Sequence, residues 1–207
     1  TPLLTTESCL FACTGNFANQ NATAAPIQQA SPDGIGKFHM GREIAKVMGH
    51  EGIDWLERRS REDEEASSRG TAALDLKPDD VVADIGAGSG YHTFRIAPLV
   101  RKGRVVAVDI QPEMLAFLEA RAKEQGYSNV ETHLGAIDGV RLPAESIDLA
   151  LMVDAYHEFS HPAEMLQSLM KALRPGGRVV LLEYRAEDPK VPIKPLHKMS
   201  EIQIRKE

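Results

Sequence analysis

The sequence predicts an α/β fold in which one parallel β-sheet is covered by helices on both faces. From residue 81 onward, short apolar runs typical of buried strands alternate with segments whose apolar residues recur at helical spacing. The first run, Val81–Ile85, leads into three glycines at alternate positions and then into a helical segment. Because elements that alternate in this way are joined by right-handed crossovers, we expect a doubly wound, Rossmann-like sheet.

Residues 1–36 are predicted to form a weakly ordered N-terminal extension, since they are rich in Thr, Ala, Asn, Gln and Ser and carry almost no charge. Residues 10–13 faintly resemble a bacterial lipoprotein cleavage site, without the basic and apolar regions of a complete signal. We predict a cytoplasmic protein, with export or lipid anchoring as the alternative. Cys9 and Cys13 suit a reducing compartment and are too few for a zinc site, so no metal site is predicted.

Residues 37–78 are predicted to form helices that precede the sheet and supply a lid. Apolar residues at helical spacing favour two short helices within 41–59. Ser60 offers an N-cap for another helix over 60–76, with acidic residues in its first turn and a Lys-Pro pair that ends it. Trp55 is predicted to lie in the core, and a position in a lid over a ligand is the alternative.

Residues 79–184 are predicted to form the core, with its strands in the order 3-2-1-4-5. Five strands are predicted, at Val81–Ile85, Arg104–Asp109, Val130–Leu134, Ile147–Val153 and 178–184. The connecting helices are predicted at 90–99, 112–126 and 160–173. The second of them begins with proline and ends at glycine, as helices often do.

The glycine turn distinguishes between two kinds of cofactor. A dinucleotide site has the pattern G-x-G-x-x-G, but the third glycine counted from Gly86 is replaced by Tyr91. Residues 84–90 instead read D-x-G-x-G-x-G. This pattern resembles that of class I S-adenosylmethionine (SAM) methyltransferases, in which the acid faces the amino-acid end of SAM. The resemblance implies SAM as the cofactor and contacts from five residues: Asp84, Gly86, Ala87, Gly88 and Gly90.

Further motifs follow in the order of that family. Asp109 ends the second predicted strand, where a carboxylate can bind both ribose hydroxyls, and Ile110 follows it. After the third strand the family often has an acid or small polar residue near the adenine, and Ala136 and Asp138 are the candidates here. Residues 173–181 resemble the family's late motif, which is structural. The resemblance therefore covers about half of the chain.

Polar residues gather after the fourth predicted strand, where ligands bind in a doubly wound sheet. Four of them are predicted to lie beside the methyl acceptor: Asp154, Tyr156, His157 and Glu158. His157 is the first candidate for a catalytic base, because an unperturbed imidazole titrates near neutral pH, and Glu158 and Tyr156 follow. The alternative for His157 is a polar residue at a helix start without chemistry. Asp154 is also predicted to contact the cofactor.

The predicted function is in-line transfer of the SAM methyl group to a small molecule. Within the superfamily the chain is most similar to the methyltransferases of quinone biosynthesis, and it lacks the Asn/Asp-Pro-Pro-Tyr/Phe signature of enzymes that methylate exocyclic or amide nitrogens. The alternative is a protein that binds SAM or S-adenosylhomocysteine without methyl transfer. A net charge of −6 argues against nucleic acid as the main partner, and no apolar run is long enough for a membrane helix.

Residues 185–207 are predicted to form an extended linker with several prolines and a closing helix over 201–207, capped by Ser200. The family's sheet has seven strands, and no residues remain for the last two. We therefore predict a sheet of five strands with an exposed edge at the fifth. Such an edge can pair with another chain, which is the basis for a predicted homodimer.

Overall fold

The computed structural model of the protein describes residues 30–207. The predictions for Cys9, Cys13 and residues 10–13, including the export alternative, lie outside the described residues. Within the described range, no helix has both the length and the apolar character needed to cross a lipid bilayer.

A parallel sheet of five strands forms the centre of the described chain. Its strands are β3 (Val81–Ile85), β4 (Arg104–Asp109), β5 (Val130–Leu134), β6 (Ile147–Val153) and β7 (Leu173–Leu182). They lie in the order β5-β4-β3-β6-β7, which confirms the predicted order 3-2-1-4-5. The connecting helices are α4 (Thr93–Ile96), α5 (Pro112–Gln125) and α6 (Pro162–Ala172). The fold class predicted from the alternating pattern is therefore confirmed.

The central strand β3 is buried over its whole length. Because side chains alternate across a strand, Val81, Ala83 and Ile85 pack into a cluster on one face of the sheet, and Val82 packs into a second cluster on the other. Both clusters are closed by apolar residues of neighbouring strands and helices. The strand order reverses next to β3, since the chain continues to β4 on one side and reaches β6 on the other. A crevice opens at the carboxyl ends of the strands at this point.

The first elements differ from the prediction. In place of a helix, β1 (Gly34–His39) and β2 (Arg42–Ala45) form an antiparallel hairpin. Its turn residues Met40 and Gly41 both have positive φ, of 47° and 94°. Such a turn joins two strands tightly, but methionine is not one of the residues that signal it, so the sequence favoured a helix here. The hairpin also begins within residues 1–36, where a weakly ordered extension was predicted.

The helices before the sheet are shorter than predicted. They are α1 (Ile53–Leu56), α2 (Arg61–Glu65) and α3 (Ser67–Ala73). The single helix predicted over 60–76 is wrong, because Ala66 adopts a left-handed conformation with φ of 49° between α2 and α3. Arg61 explains the break in part, since it is buried and donates hydrogen bonds to Glu65 and to the carbonyl of Leu56. These tertiary contacts outweigh local helix propensity.

Two boundaries in the core also differ from the prediction. Helix α4 is shorter than the predicted 90–99. Strand β7 begins at Leu173 rather than at 178, because the predicted turn lies inside the strand as an irregularity next to β6. Gly176, with φ of 82°, lies within this irregularity and accommodates the bend.

The C-terminal segment returns to the carboxyl end of β7. Met199 donates a backbone hydrogen bond to Tyr184, and Ala186 donates one to Met199, at 2.9 and 3.1 Å. The closing helix α7 (Glu201–Lys206) follows, and the hydroxyl of Ser200 caps it by accepting from the backbone of Gln203. The predicted helix and its cap are confirmed. The segment is thereby brought against the crevice.

Candidate active site

A cavity of about 420 Å³ opens at the carboxyl ends of the central strands. This volume lies in the range of about 300–1,000 Å³ that is typical of sites for small ligands. The wall is mostly apolar and contains the glycine turn, the ends of β4 and β6, residues of the first helices and part of the C-terminal segment. The helices before the sheet, the strand ends of the core and the C-terminal segment therefore surround one site.

The glycine turn presents bare backbone to this cavity. Gly86 and Gly88 line it, together with Ala87, and both glycines have positive φ, of 72° and 53°. A Cβ atom on Gly86 would lie 2.8 Å from the Cβ of Ala155, so a side chain is excluded there by space as well as by backbone conformation. Gly90 differs from the other two, since it does not line the cavity. A Cβ atom on Gly90 would overlap the side chains of Leu118 and Phe94, so this glycine serves the packing of α5.

Asp84 is the second-to-last residue of β3, beside the turn, and it lines the cavity. Its side chain is buried, and its Oδ2 accepts a hydrogen bond of 2.6 Å from the hydroxyl of Thr93 at the start of α4. Burial raises the pKa of Asp84 to about 6, against the opposing effect of the Thr93 hydrogen bond. The carboxyl group is thus held in one orientation and is largely ionised at neutral pH.

Asp109 is the residue that was predicted to bind the ribose hydroxyls. It ends β4 and lines the cavity, and Ile110 next to it also lines the cavity. Its Oδ2 accepts from the backbone of Gly88 at 3.0 Å and its Oδ1 accepts from the backbone of Gln111 at 2.9 Å. Burial raises the pKa of Asp109 above its usual value. The carboxylate therefore connects the glycine turn to the start of α5 at the edge of the cavity.

The loop after β5 meets the cavity through apolar residues. Ala136 and Ile137 line the cavity, whereas Asp138 is exposed and lies outside the lining. The loop closes on itself, because the backbones of Ala136 and Gly139 donate to each other at 2.9 and 3.3 Å. The structure therefore does not place Asp138 with the other predicted cofactor residues.

Asp154 follows β6 in a strained conformation. Its φ is 49°, in the left-handed region that non-glycine residues seldom occupy, and its backbone donates to Leu182 at 2.9 Å. Burial, and next the nearby carboxylate of Glu183, raise the pKa of Asp154 to about 7. The residue lines the cavity, so this strain positions a carboxyl group at the site.

His157 is the centre of a polar group at the same end of the sheet. It is 2% exposed, and its Nδ1 lies 2.6 Å from Oε2 of Glu183, while its Nε2 lies 3.1 Å from Nδ1 of His197. The other carboxylate oxygen of Glu183 accepts from the backbone of Tyr156 at 2.9 Å, which orients the carboxylate. Burial lowers the pKa of His157, but the Glu183 hydrogen bond and charge outweigh it, so the net shift is upward.

Glu158 and Tyr156 differ in their positions. Glu158 lines the cavity, its Oε1 accepts from the backbone of Met48 at 3.2 Å, and burial raises its pKa to about 7. Tyr156 is 1% exposed, packs in the core against Phe159 and does not line the cavity. Tyr156 therefore does not join the predicted catalytic group, because its ring is turned into the core.

Several residues at the site were not predicted as functional. Glu183 directly follows the last strand, so the rule that ligands bind at strand ends could have identified it. His197 lies in an irregular segment 40 residues after His157, and nothing in the sequence pointed to it. Trp55 was predicted to be core, but it is 40% exposed and lines the cavity with Arg58 stacked on its ring. The core prediction for Trp55 is therefore wrong, and the alternative of a lid stays a prediction.

Comparison with known proteins agrees with this geometry. Residues 76–203 match the family described as "Methyltransferase domain". The chain is 31% identical over 109 residues to the uncharacterized methyltransferase YcgJ of Bacillus subtilis, covering 52% of this chain and 42% of that protein. It is 35% identical over 114 residues to a protein-L-isoaspartate O-methyltransferase of Methanopyrus kandleri, covering 54% and 47%. The chain thus spans less than half of the length of these curated relatives.

A solved structure has the same fold over most of the described chain. A SAM-dependent methyltransferase from Aquifex aeolicus superposes with a TM-score of 0.72 at 24% identity, covering 76% of this chain and 85% of that one. The family match extends over more than half of this chain and includes the glycine turn, Asp109 and His157. The protein therefore belongs to the methyltransferase domain family and has the fold of class I SAM-dependent methyltransferases.

Proposed function

We propose that the chain transfers the methyl group of SAM to a small, largely apolar acceptor. The observation that carries this proposal is that one cavity is lined both by the glycine turn with Asp84 and Asp109 and by the polar residues His157 and Glu158. Cofactor residues and a group able to accept a proton thus meet in one space. A protein that only bound SAM would not need the polar residues His157 and Glu158 beside the cofactor residues.

The residues present fit SAM. Asp84 offers a buried carboxylate to the ammonium group, and Asp109 offers one to the ribose hydroxyls. The bare backbone of Gly86 and Gly88 leaves room that a side chain would fill. Ala136 and Ile137 supply an apolar wall for the adenine. SAM supplies a methyl group on a positively charged sulfur, which is already an electrophile.

The protein's part of the reaction is to orient the acceptor, exclude water and accept a proton. The apolar side chains of Trp55, Phe159 and Ile193 line the cavity, which favours an apolar acceptor and limits the water beside it. An acceptor hydroxyl or thiol must lose its proton as the methyl group is transferred. Glu183 holds Nδ1 of His157, so Nε2 is the atom that accepts this proton, and the acceptor must first displace its 3.1 Å contact with Nδ1 of His197. We propose His157 as the base and Glu183 as the residue that positions it.

Several observations favour a small acceptor. The cavity volume suits a small molecule beside a cofactor, and the net charge of −6 disfavours a polyanion. A relative is named for methylation of protein isoaspartate, so a protein acceptor is the competing possibility that an experiment must separate.

The proposal is tested by incubating the full chain with methyl-labelled SAM and a cell extract split into small molecules and proteins. We expect label in the small-molecule fraction. Label in the protein fraction would contradict the small acceptor. Calorimetric binding of SAM without any label transfer would instead favour a binding protein, and absence of SAM binding would refute the cofactor assignment.

A matched pair of variants tests the cofactor residues. Asp109→Ala removes a buried carboxylate at the cavity, whereas Asp138→Ala removes an exposed one outside it. We expect SAM affinity to fall by about 10- to 100-fold in the first variant, since a hydrogen bond to a charged group contributes about 1.5–3 kcal/mol. The second variant should bind SAM as the parent does.

A further inference from the structure

Three side chains of the site form a compact set of nitrogen and oxygen atoms. We call His157, Glu158 and His197 the His–Glu–His cluster. The first two follow β6, and His197 lies in a short 3₁₀ turn, Pro195–His197, of the C-terminal segment. Their ligand atoms all lie within 4.8 Å of one another, and all three residues line the cavity. The cluster therefore exists only because the C-terminal segment returns to the sheet.

The spacing of these atoms suits a metal ion. Nε2 of His157 lies 3.1 Å from Nδ1 of His197 and 3.8 Å from Oε1 of Glu158, and the last two atoms are 3.6 Å apart. A triangle with these sides has a point about 2.0 Å from every corner, by its circumradius. First-row metal ions lie about 2.0–2.2 Å from nitrogen and oxygen ligands. The side chains thus need little movement to bind one ion.

Outer contacts orient two of the three side chains. The carboxylate of Glu183 lies 2.6 Å from Nδ1 of His157, which directs Nε2 toward the cluster. The backbone of Met48 donates to Glu158 at 3.2 Å. A carboxylate that holds the far nitrogen of a histidine is the usual support of a histidine metal ligand. This second observation is independent of the spacing within the cluster.

We propose that the His–Glu–His cluster binds one divalent transition-metal ion whose remaining coordination positions face the cavity. Two imidazoles and one carboxylate favour ions such as Mn²⁺, Fe²⁺, Co²⁺ or Zn²⁺ over Mg²⁺ and Ca²⁺, which prefer oxygen ligands. The binding itself does not depend on methyl transfer. Its consequence rests on the proposed function: the ion would orient an acceptor hydroxyl or thiol and lower its pKa, so that the acceptor gives its proton to water before the methyl group is transferred. His157, as a ligand of the ion, would then not act as the base.

The test is titration of the full, chelator-treated chain with Co²⁺, followed by calorimetry and visible absorption. We expect one ion per chain with absorption bands of nitrogen and oxygen ligands. Glu158→Gln and His197→Ala should each weaken Co²⁺ binding at least about 10-fold, and Glu183→Gln about 10- to 100-fold through its effect on His157. The control is His50→Ala, since His50 is half-exposed and outside the cavity lining.

Three outcomes would overturn the proposal. These are absence of saturable Co²⁺ binding, equal binding by the cluster variants and His50→Ala, and a near-ultraviolet charge-transfer band, which indicates thiolate ligands. Melting temperatures of the metal-free variants show whether each is folded. SAM titration of the same samples separates the two proposals: Co²⁺ binding without SAM binding supports the metal site and refutes the function, and the reverse result refutes only the metal site.

Discussion

Asp84 illustrates how one residue can be both costly to bury and suited to a ligand. Its carboxyl group is 3% exposed, and its Oδ2 accepts a hydrogen bond from Thr93, yet burial still raises its pKa to about 6. A bound ammonium group would offset part of the cost of burying the charge. Asp154, with raised pKa and positive φ, is a second residue held in a costly state at the cavity. Costs of this kind are typical of functional sites.

SAM binding should weaken in acid because of Asp84. The carboxylate form pairs with the ammonium group, and this form is lost as pH falls through about 6. We expect SAM affinity to be about 5- to 10-fold lower at pH 5 than at pH 7, measured by calorimetry. Asp84→Asn should bind SAM weakly at both pH values and lose most of this slope. Asp138→Asn should keep it, and an unchanged slope in Asp84→Asn would contradict the assignment.

Gly86 and Gly126 have the same φ, so their alanine variants can separate the cost of steric overlap from the cost of backbone strain. Gly86 and Gly126 both have φ of 72°, but an added Cβ meets Ala155 at 2.8 Å in the first case and nothing within 4 Å in the second. We expect Gly126→Ala to lower the free energy of unfolding by about 1–2 kcal/mol. Gly86→Ala should lower it by about 2–5 kcal/mol, because overlap adds to strain. Urea unfolding measures both, and equal losses would contradict the close approach.

At the scale of elements, the hairpin and the C-terminal helix hold each other beside the site. Arg42 of β2 donates to both carboxylate oxygens of Glu207 at 2.8 and 2.9 Å and to the carbonyl of His157 at 2.9 Å. The Arg42 and Glu207 side chains are 9% and 0% exposed. One guanidinium group therefore joins three parts of the chain that are distant in sequence.

Strand β7 lies at one edge of the five-stranded sheet. The homodimer predicted to form through this edge stays a prediction, which sedimentation can test.

Replacement of Arg42 by lysine should be destabilising even though the charge is kept. A lysine cannot make the paired hydrogen bonds to Glu207 or reach His157 at the same time. We expect Arg42→Lys to lower the free energy of unfolding by about 1–3 kcal/mol. The control is Arg205→Lys, whose partner Glu201 and own side chain are both exposed, with a change of about 0.5 kcal/mol or less. Similar losses in the two variants, by urea unfolding, would refute this role of Arg42.

At the scale of the whole molecule, the cavity joins segments that are far apart in the chain. Trp55 comes from the first helices, Asp109 and His157 from the ends of core strands, and His197 from the C-terminal segment. A ligand in this cavity contacts all of them at once. Binding should therefore stabilise the folded chain as a unit.

SAM should raise the stability of the whole folded chain. At a SAM concentration 100 times its Kd, we expect the free energy of unfolding to rise by about 2.7 kcal/mol, because only the folded chain has the site. NAD at the same concentration should cause no change. Thermal unfolding monitored by circular dichroism measures both effects. A stabilisation by NAD as large as that by SAM would contradict the interpretation of the glycine turn.

Local sequence patterns were enough to predict the sheet and its strand order, and they identified several of the residues that we propose bind the cofactor. Buried strands and the D-x-G-x-G-x-G turn are local patterns, and Asp84, Gly86, Gly88 and Asp109 lie at strand ends that the topology brings together. The hairpin was missed because Met40 does not signal its turn, and the helix break at Ala66 depends on buried contacts of Arg61.

The arrangement of the residues proposed to face the acceptor could be seen only in the folded chain. His197 lies 40 residues after His157, beyond α6 and β7 in the C-terminal segment, so no periodicity could predict the contact. Tyr156 and His157 are neighbours in sequence, but one ring packs in the core and the other side chain lines the cavity. Asp138 and Gly90 were predicted to contact the cofactor but lie outside the cavity lining, because loop closure and helix packing set their positions. Local patterns specify elements, whereas distances between side chains follow from how those elements pack.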